Sequence, residues 1–372
     1  GPAGQSRLQT EAEGVISFAS PRPLFDPLSI PWSGIGGGKS KFAFYLPPRE
    51  GAILRDRMKR GEKITVRAKV ESASRKFEQQ VVVATLPGTG AARGTAETAV
   101  PGTDPTPPDE IILSAHLFEG YAMQGANDNY SGDAAILDAA RTLQALIADG
   151  RLPRPKRTIR FLWAPEISGT GAWVKANPGV MRRTLCNINL DMVGLLLSKS
   201  QSFKCMIRTT YGNPHYINDV MENYYRFIGE GNRERIQNRS SFYPVPQRIV
   251  APTGADEPFY YSIETHYGAS DHEVFNDWGI QVPGIMMIDW PDRWYHTSGD
   301  HVDKTDPTQL KRVTIIGAAA AYTIANADDV TAAKIAAETA SNGAGRLAHQ
   351  LVRGFEELNN ATSANLTDAY QL

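Results

Sequence analysis

The sequence predicts a three-layer α/β fold, in which a mixed, largely parallel sheet carries helices on both faces. Two observations support this fold class. From Gln80 onward, short apolar runs typical of strands alternate with longer helical segments, and that order characterises α/β domains. The segment 132–148 is amphipathic, because apolar residues such as Ala135 and Leu143 recur on neighbouring helical turns.

The individual elements follow from apolar runs and the residues that flank them. The run 111–115 is apolar and leads into a glycine-rich turn, which predicts a buried strand. A later helix has Asp306 as its N-cap and Pro307 at its first position. The predicted strands are 81–84, 111–115, 158–163, 185–190 and 284–288, and the predicted helices are 132–148, 171–176, 213–228 and the one after Asp306.

The chain also divides into three predicted regions. The first region differs in pattern from the rest, with a strand at 14–19, a short helix at 51–58 and an alternating strand at 63–70. Within the main domain, residues 85–109 are rich in Gly, Pro, Thr and Ala and predict a long exposed loop. The regions are a first part at 1–74, the main α/β domain at 75–330 and a helical C-terminal extension at 331–372.

Composition and charge exclude several kinds of partner. The 372 residues carry a net charge of −1 with dispersed Lys and Arg, so we expect neither a nucleic-acid nor a membrane partner. The apolar stretch 313–327 is too short to span a bilayer. Cys186 and Cys205 make no disulfide framework and no zinc ribbon. No signal peptide is visible in the sequence, and the oligomeric state stays open.

The first chemical signal is His116, followed twelve residues later by Asp128. His116 lies just beyond the strand at 111–115, and Asp128 lies in the glycine-rich turn that leads to the next helix. Open α/β sheets place their chemistry at such strand ends. An imidazole and a carboxylate offered from one sheet edge are typical ligands of zinc.

Further acids and histidines follow the other predicted strands. Glu166 and Asp191 each end a strand, and His296 follows the strand near 284–288. A single Asp at a strand end is commonly a helix cap. Five candidate ligands at such ends (His116, Asp128, Glu166, Asp191 and His296) exceed what capping explains, and zinc accepts this mixture of donors.

At this point the chain resembles a known family, the co-catalytic di-zinc exopeptidases of the bacterial leucyl aminopeptidase and glutamate carboxypeptidase type. The resemblance spans about 80–328 and rests on four blocks in order: His…Gly-Ala-Asn-Asp-Asn-x-Ser-Gly, Asn-Leu-Asp-Met-Val-Gly, Ser-Asp-His and Tyr-His-Thr-x-x-Asp. It implies a three-layer zinc-exopeptidase fold and two zinc ions sharing a water, with other divalent metals possible. His116, Asp128, Asp191 and His296 match its metal ligands, with Asp128 bridging.

The sequence departs from the family pattern at two places. The family has two adjacent glutamates after the strand at 158–163, a general base and a zinc ligand, whereas this chain has only Glu166. We expect Glu166 to be a metal ligand, with the catalytic base as its alternative role. Phe118 stands where most members place an Asp that orients the histidine, and Glu119 is the neighbouring candidate to replace it.

The resemblance also implies a peptide substrate and its contacts. Asp271 and His272 match the Ser-Asp-His block near the substrate, and Tyr295 beside His296 is a candidate pocket wall. We therefore expect a zinc-dependent aminopeptidase. The alternatives are a carboxypeptidase or other amidohydrolase on the same scaffold, and a metal-binding pseudoenzyme that binds peptides without cleavage. The family further implies a secreted or periplasmic location, and the first region is similar to part of a protease-associated domain.

Overall fold

A seven-stranded mixed sheet forms the centre of the protein. The computed structural model describes residues 13–20, 22, 25–32, 41–73, 75–90, 108–117, 123–238 and 248–371. The seven strands of the sheet are β3 (Val82–Leu86), β4 (Glu110–His116), β5 (Thr158–Ala164), β6 (Thr184–Leu190), β7 (Phe203–Ile207), β8 (Tyr261–Glu264) and β9 (Gly284–Trp290).

The order of these strands places the carboxyl ends of four of them at one edge. The order across the sheet is β3-β5-β4-β6-β9-β7-β8. The central strands β5, β4, β6 and β9 run parallel to one another, β3 and β7 are antiparallel to their central neighbours, and β8 is parallel to β7. Polar side chains that end the four parallel strands are therefore brought close together.

Helices cover both faces of the sheet, as the sequence predicts. The main helices are α2 (Tyr130–Ala148), α3 (Ser168–Ala176), α4 (Pro178–Met181), α5 (Leu197–Ser200), α6 (Ile217–Asn238), α7 (His272–Asn276) and α8 (Pro307–Asn326). Side chains alternate between faces along each strand, so Ile111 and Leu113 pack in one cluster with α2, α6 and α8, while Ile112 packs in another beside α3 and α7. Truncating such a fully buried side chain to Ala costs about 2–5 kcal/mol. The three-layer fold class is confirmed.

The predicted helix cap at Asp306 is confirmed, whereas the bounds of one predicted helix differ. Asp306 accepts a hydrogen bond from the Gln309 backbone nitrogen at 3.0 Å and so begins α8. Asn129 caps α2 in the same way, through the Gly132 nitrogen at 3.0 Å. The helix predicted at 213–228 begins later and extends ten residues further, to Asn238. Only part of the predicted loop 85–109 lies within the described residues, and β3 extends into it as far as Leu86.

In the first region, two short strands pair and a helix follows them. β1 (Gly14–Ser17) pairs in parallel with β2 (Phe42–Tyr45), and α1 (Pro48–Lys59) follows. The strand predicted at 63–70 is wrong, because this segment forms no strand with any described residues and its side chains are largely exposed. Its alternating pattern gives local preference only, and a strand needs a partner to persist.

The C-terminal extension is helical, as expected. It consists of α9 (Asp329–Asn360) and the short α10 (Leu366–Gln371). Asp328 caps α9 by accepting a hydrogen bond from the Thr331 nitrogen at 2.8 Å. Among the described residues, no helix has both the length and the apolar character that a bilayer crossing requires.

Candidate metal centre

Three predicted ligands meet directly at the carboxyl edge of the sheet. His116 ends β4, Asp191 follows β6, and Asp128 lies in the turn before α2. The Nε2 atom of His116 lies 3.3 Å from Asp128 Oδ1 and 3.3 Å from Asp191 Oδ1. All three side chains are buried, so water screens their interaction only weakly.

The other two predicted ligands complete the cluster. The Nε2 atom of His296 lies 3.3 Å from the second oxygen of Asp128, so this carboxylate stands between the two imidazoles. Glu166, two residues after β5, has a carboxylate oxygen within 4.8 Å of ligand atoms of both His116 and Asp191. The structure thus brings all five residues together from five separate segments of the chain.

Buried polar side chains of the Asn-Asp-Asn-Tyr-Ser block hold two of the ligand turns together. Asn129 Oδ1 accepts a hydrogen bond from the Met192 nitrogen, Ser131 Oγ accepts one from the Val193 nitrogen, and Asn127 Oδ1 accepts one from the Gly194 nitrogen, at 2.9–3.0 Å. The turn that carries Asp128 is therefore bonded to the turn that follows Asp191. This explains why amide and hydroxyl side chains, rather than apolar ones, occupy buried positions here.

A buried ion pair between Lys204 and Asp289 supports the turn that follows Asp191. Lys204 on β7 donates to both Asp289 on β9, at 2.8 Å, and the Val193 carbonyl, at 2.5 Å. Asp289 in turn accepts a hydrogen bond from the Leu195 nitrogen at 2.8 Å. The pair therefore fixes the backbone that follows Asp191. Neither β7 nor β8 was predicted from the sequence, and a lysine among the apolar residues of β7 conceals the strand pattern.

Asp300 anchors the turn that carries Asp128. Its two carboxylate oxygens accept hydrogen bonds from the Asn127 and Asp128 backbone nitrogens at 2.8 and 2.9 Å. Burial raises the pKa of Asp300 to about 6, although these two donors favour its charged form. The sequence pattern contains Asp300 in the Tyr-His-Thr-x-x-Asp block, but it does not reveal this supporting role.

The Glu166 turn is held by a residue that the sequence assigned to substrate binding. Asp271 Oδ1 accepts a hydrogen bond from the Ile167 nitrogen at 2.6 Å, and Asp271 is fully buried. His272 is also fully buried, and its Nε2 lies 2.9 Å from the Tyr267 carbonyl oxygen. Neither residue lines the cavity beside the cluster. Their substrate-binding role stays a prediction, and their contacts are those of residues that hold loops in place.

Backbone strain is concentrated around the cluster. Ile167, Met192, Ala269 and His296 have positive φ values of 52°, 57°, 98° and 53°. L-residues with side chains rarely adopt this conformation, which costs about 1–3 kcal/mol per residue and is common at functional sites. Ile167 and Met192 directly follow predicted ligands, His296 is one itself, and Ala269 lies two residues before the buried Asp271. The surrounding packing therefore holds the backbone beside the predicted ligands in a strained conformation.

The electrostatics of the cluster favour a bound cation. Burial alone would lower the pKa of His116, but Asp191 and Asp128 raise it well above its usual value. Burial would raise the pKa of Asp128, yet its contacts with His116 and His296 lower it to about 2. Both shifts show that positive charge is stabilised between these carboxylates.

The donor set fits zinc. Three carboxylates and two imidazoles converge, and with neutral histidines the five groups carry three negative charges. Asp128 Oδ2 is buried and accepts no hydrogen bond of good geometry from the described residues, although it faces His296 Nε2. Mixed imidazole and carboxylate donors suit zinc and related divalent ions. The residues present therefore fit the metal that the sequence pattern implies.

A cavity of about 400 Å³ opens beside the cluster. Asp128, Glu166, Asp191 and His296 line it on one side, and its other walls are mostly apolar (Met192, Met286, Ile288, Trp290, Tyr267 and Tyr295). Tyr295 stacks on His296 with ring centroids 3.7 Å apart, and the Arg22 guanidinium lies 4.6 Å from the Tyr295 ring. Glu264 is the lining carboxylate outside the ligand set.

Comparison with known proteins decides the family. The sequence profile of Peptidase family M28 matches residues 98–321, more than half of the chain. The chain belongs to peptidase family M28. The resemblance given by its sequence blocks is thereby confirmed.

Two curated relatives and one solved structure are similar to this chain. Aminopeptidase YwaD of Bacillus subtilis (strain 168) is 26% identical over 226 residues, which cover 58% of this chain and 41% of that protein. Leupeptin-inactivating enzyme 1 of Streptomyces exfoliatus is 26% identical over 235 residues, covering 57% and 44%. The aminopeptidase from Aneurinibacillus sp. strain AM-1 is 23% identical with a TM-score of 0.46, covering 85% and 64%. The chain spans less than half the length of these two curated relatives.

One contribution to this M28 site comes from the first region. The Trp32 nitrogen donates to the His296 carbonyl at 2.6 Å, and the Trp32 ring meets the His296 ring edge-on at 5.2 Å. Pro31 forms a β-bridge with Thr297. A proline-rich segment gives no sequence signal for such a contact. The predicted boundary at 74 stays a prediction, but residues 25–32 pack against the ligand loop.

One departure from the family pattern lies outside the described residues. Phe118 and Glu119 fall in the undescribed stretch 118–122, so the predicted replacement of the orienting carboxylate by Glu119 is not tested.

Proposed function

We propose that this chain is the catalytic part of a zinc-dependent metallopeptidase that removes residues from the amino terminus of peptides. The observation that carries the proposal is the convergence of five zinc-type ligands at the mouth of a cavity large enough for an amino-acid side chain. Aminopeptidase activity is named for aminopeptidase YwaD and for the Aneurinibacillus enzyme, and zinc is named for a similar aminopeptidase structure from Bacillus subtilis.

His116, Asp128, Glu166, Asp191 and His296 would hold two zinc ions, with Asp128 between them. The position of Asp128 between the two imidazoles supports this role, because each of its oxygens lies 3.3 Å from a different histidine. When bound, the zinc ions would polarise the scissile carbonyl and lower the pKa of a water molecule.

We assign Glu166 to the ligands because its oxygen lies within 4.8 Å of ligand atoms of His116 and Asp191. A carboxylate at that distance can share a bound cation with those two residues. Tyr295 would position substrate at the wall beside His296, because its ring is fixed between His296 and Arg22.

The choice of an aminopeptidase over a carboxypeptidase rests on Glu264. This carboxylate lines the cavity without belonging to the ligand set, and a positively charged group is its natural partner. The cationic residue of the cavity, Arg22, lies over the faces of Tyr295 and Trp290. Glu264 would therefore attract the terminal ammonium group of a peptide and repel its terminal carboxylate.

A second candidate function is a metal-binding protein that binds peptides without cleaving them. The observation that favours it is the single carboxylate after β5, because Glu166 as a ligand leaves no second acid in that turn. Both candidate functions predict that the protein binds metal and peptide, but only the peptidase predicts cleavage of the peptide.

The test compares three versions of one peptide after chelation and after zinc is restored. The versions have a free amino terminus, an acetylated amino terminus and an amidated carboxyl terminus. We expect zinc-dependent cleavage of the first and third versions only. Cleavage of the acetylated but not the amidated peptide would indicate a carboxypeptidase. Peptide binding without any cleavage would indicate the second candidate function.

A matched pair of variants links the result to the site. His296→Ala should abolish zinc-restored cleavage. His349→Ala, at an exposed histidine on α9 outside the cluster, should leave it unchanged. Equal activity in both variants would show that the cleavage does not come from this centre.

A further inference from the structure

The C-terminal helix α9 has its apolar side turned to solvent. None of its 32 residues, all of which the structure describes, is buried. On the side facing the α/β domain, the partly buried Ile335 packs against the main core, and Arg346 is bonded to Asp219 of α6 at 2.8 Å. On the opposite side, Leu347, Leu351 and Phe355 are 69%, 62% and 58% exposed. These three large apolar side chains, which point away from the domain, form an interaction surface that the domain does not use.

The exposed side repeats with the period of a coiled-coil seam. Small or apolar residues recur at alternating steps of four and three, which is a repeat of 3.5 residues. We call this row the α9 seam, and it consists of Ala333, Ala337, Ala340, Ala344, Leu347, Leu351, Gly354 and Leu358. Its first four members are alanines, whereas leucines predominate in its second half.

This asymmetry selects one mode of pairing between two copies. An antiparallel partner related by a two-fold axis between positions 345 and 346 would set each large side chain against a small one. The opposed pairs would be Ala344 with Leu347, Ala340 with Leu351 and Ala333 with Leu358, and Phe355 beside the seam would meet Ala336. One interhelical distance then suits most of the length, because three of the four distinct layers hold one large and one small residue, while the fourth sets Ala337 against Gly354.

A parallel partner fits poorly by the same reasoning. It would set Leu351 against Leu351 at one end and Ala340 against Ala340 at the other. Leucine layers separate two helices more than alanine layers do, so one half of a parallel pair would contain a gap. The sequence of the seam therefore favours the antiparallel arrangement.

The positions that flank the seam present no charge conflict at its centre. They are Ser341, Gly343, Ala348 and Gln350, which are small or uncharged. The charged flanking residues Lys334 and Glu357 lie near the two ends, where they stay in water. Association would therefore bury no unpaired charge, whose desolvation would oppose it.

We propose that the α9 seam binds a second copy of this chain in an antiparallel helix pair. The paired stretch from Ala333 to Leu358 would be about 39 Å long at about 1.5 Å per residue. Such an interface lies at the small end of specific protein contacts, so we expect a reversible dimer in the micromolar range, roughly 1–100 μM.

Single cysteines with a short bismaleimide cross-linker test both the pairing and its direction. The native thiols Cys186 and Cys205 are buried, and burial raises the pKa of both, so introduced cysteines would react selectively. Ala344→Cys should cross-link to itself, because its copies are about 4.5 Å apart along the helix axis. Ala333→Cys and Leu358→Cys should each fail alone and should cross-link when the two proteins are mixed.

Sedimentation over the same concentration range supplies the second measurement. Leu351→Asp should yield a monomer, whereas Leu137→Asp, at a comparably exposed leucine on α2, should dimerise like the unaltered protein. Self-cross-linking of Ala333→Cys would overturn the antiparallel arrangement. A monomer at every concentration up to about 100 μM would overturn the proposal and leave the seam to a different partner. None of these readouts depends on peptidase activity.

Discussion

The buried pair of Lys204 and Asp289 offers the sharpest test of how the ligand turns are supported. Both side chains are almost completely excluded from water, at 1% and 0% exposure. Lys204→Met removes the cation, its bond to the Val193 carbonyl and its bonds to Asp289, while a side chain of similar length fills the space. Asp289 then remains buried without its partner.

The expected cost follows from that uncompensated charge. Breaking a buried ion pair on one side typically destabilises a protein by about 3–5 kcal/mol. Burial already raises the pKa of Asp289 to about 6, and Lys204 is the main group that opposes the rise. We therefore expect Lys204→Met to lower the free energy of unfolding by about 3–5 kcal/mol at neutral pH. The double variant Lys204→Met/Asp289→Asn should recover about half, because Asn still accepts the Leu195 hydrogen bond.

Urea denaturation of the metal-free protein would measure these differences as shifts in the transition midpoint. Lys199→Met is the matched control, because Lys199 is exposed and its ion pair with Asp303 is worth less than about 1 kcal/mol. If Lys204→Met and Lys199→Met have the same stability, the buried pair does not support the turn after Asp191.

Three further predictions address the cluster and its cavity. Glu166→Gln should lower zinc occupancy and turnover together, whereas a pure base would keep zinc and lose about 10²–10⁴ in turnover; retention of both properties would refute either role. Burial raises the pKa of Asp133 to about 7, so its contribution to stability is present below pH 3.8 and is lost as pH rises through 7. In metal-free protein, the stability of Asp133→Asn relative to wild type should therefore increase as pH rises from 5 to 8, by roughly 1–2 kcal/mol after allowance for partial exposure. A difference that stays constant across that range would contradict this. Glu264→Gln should raise KM for peptides with a free amino terminus by about tenfold, the effect of losing about 1.4 kcal/mol of charge pairing, with unchanged zinc content; an unchanged KM would remove Glu264 from substrate recognition.

The sequence allowed the α/β domain and the clustering of the candidate ligands to be predicted because both depend on local pattern. Apolar runs identify strands such as β4 and β6, and the residues that end them are the ones the fold brings together. His116, Asp191 and His296 lie on different segments, yet each follows a recognisable strand. Parallel strands bring their carboxyl ends to one edge, so position along the sequence was sufficient information.

The supporting interactions were not predictable in this way. Lys204 looks like a surface residue in the sequence, and only the pairing of β7 with β9 places it against Asp289. Asp271 was assigned to substrate because it lies in a recognised block, whereas the structure bonds it to the Ile167 turn. The contact of Trp32 with His296 joins segments more than 260 residues apart in a proline-rich context. Contacts of this kind depend on tertiary packing, for which a single sequence carries no periodic signal.

For the seam on α9, the helix could be predicted from the sequence but its orientation could not. Its helical pattern was visible, but the sequence alone did not show which side would face the α/β domain. The bond between Arg346 and Asp219 fixes that orientation and leaves the leucines exposed. Orientation, rather than helix formation, was the missing information.

The most direct test of the proposed metal centre is the number of metal ions held by its five proposed ligands. Elemental analysis of protein equilibrated with zinc at neutral pH, after removal of free metal, measures that number. We predict two zinc ions per chain in the unaltered protein and at least one fewer in His296→Ala, with no change in His349→Ala. Protein that retains no zinc under these conditions would contradict the assignment of the cluster as a metal centre.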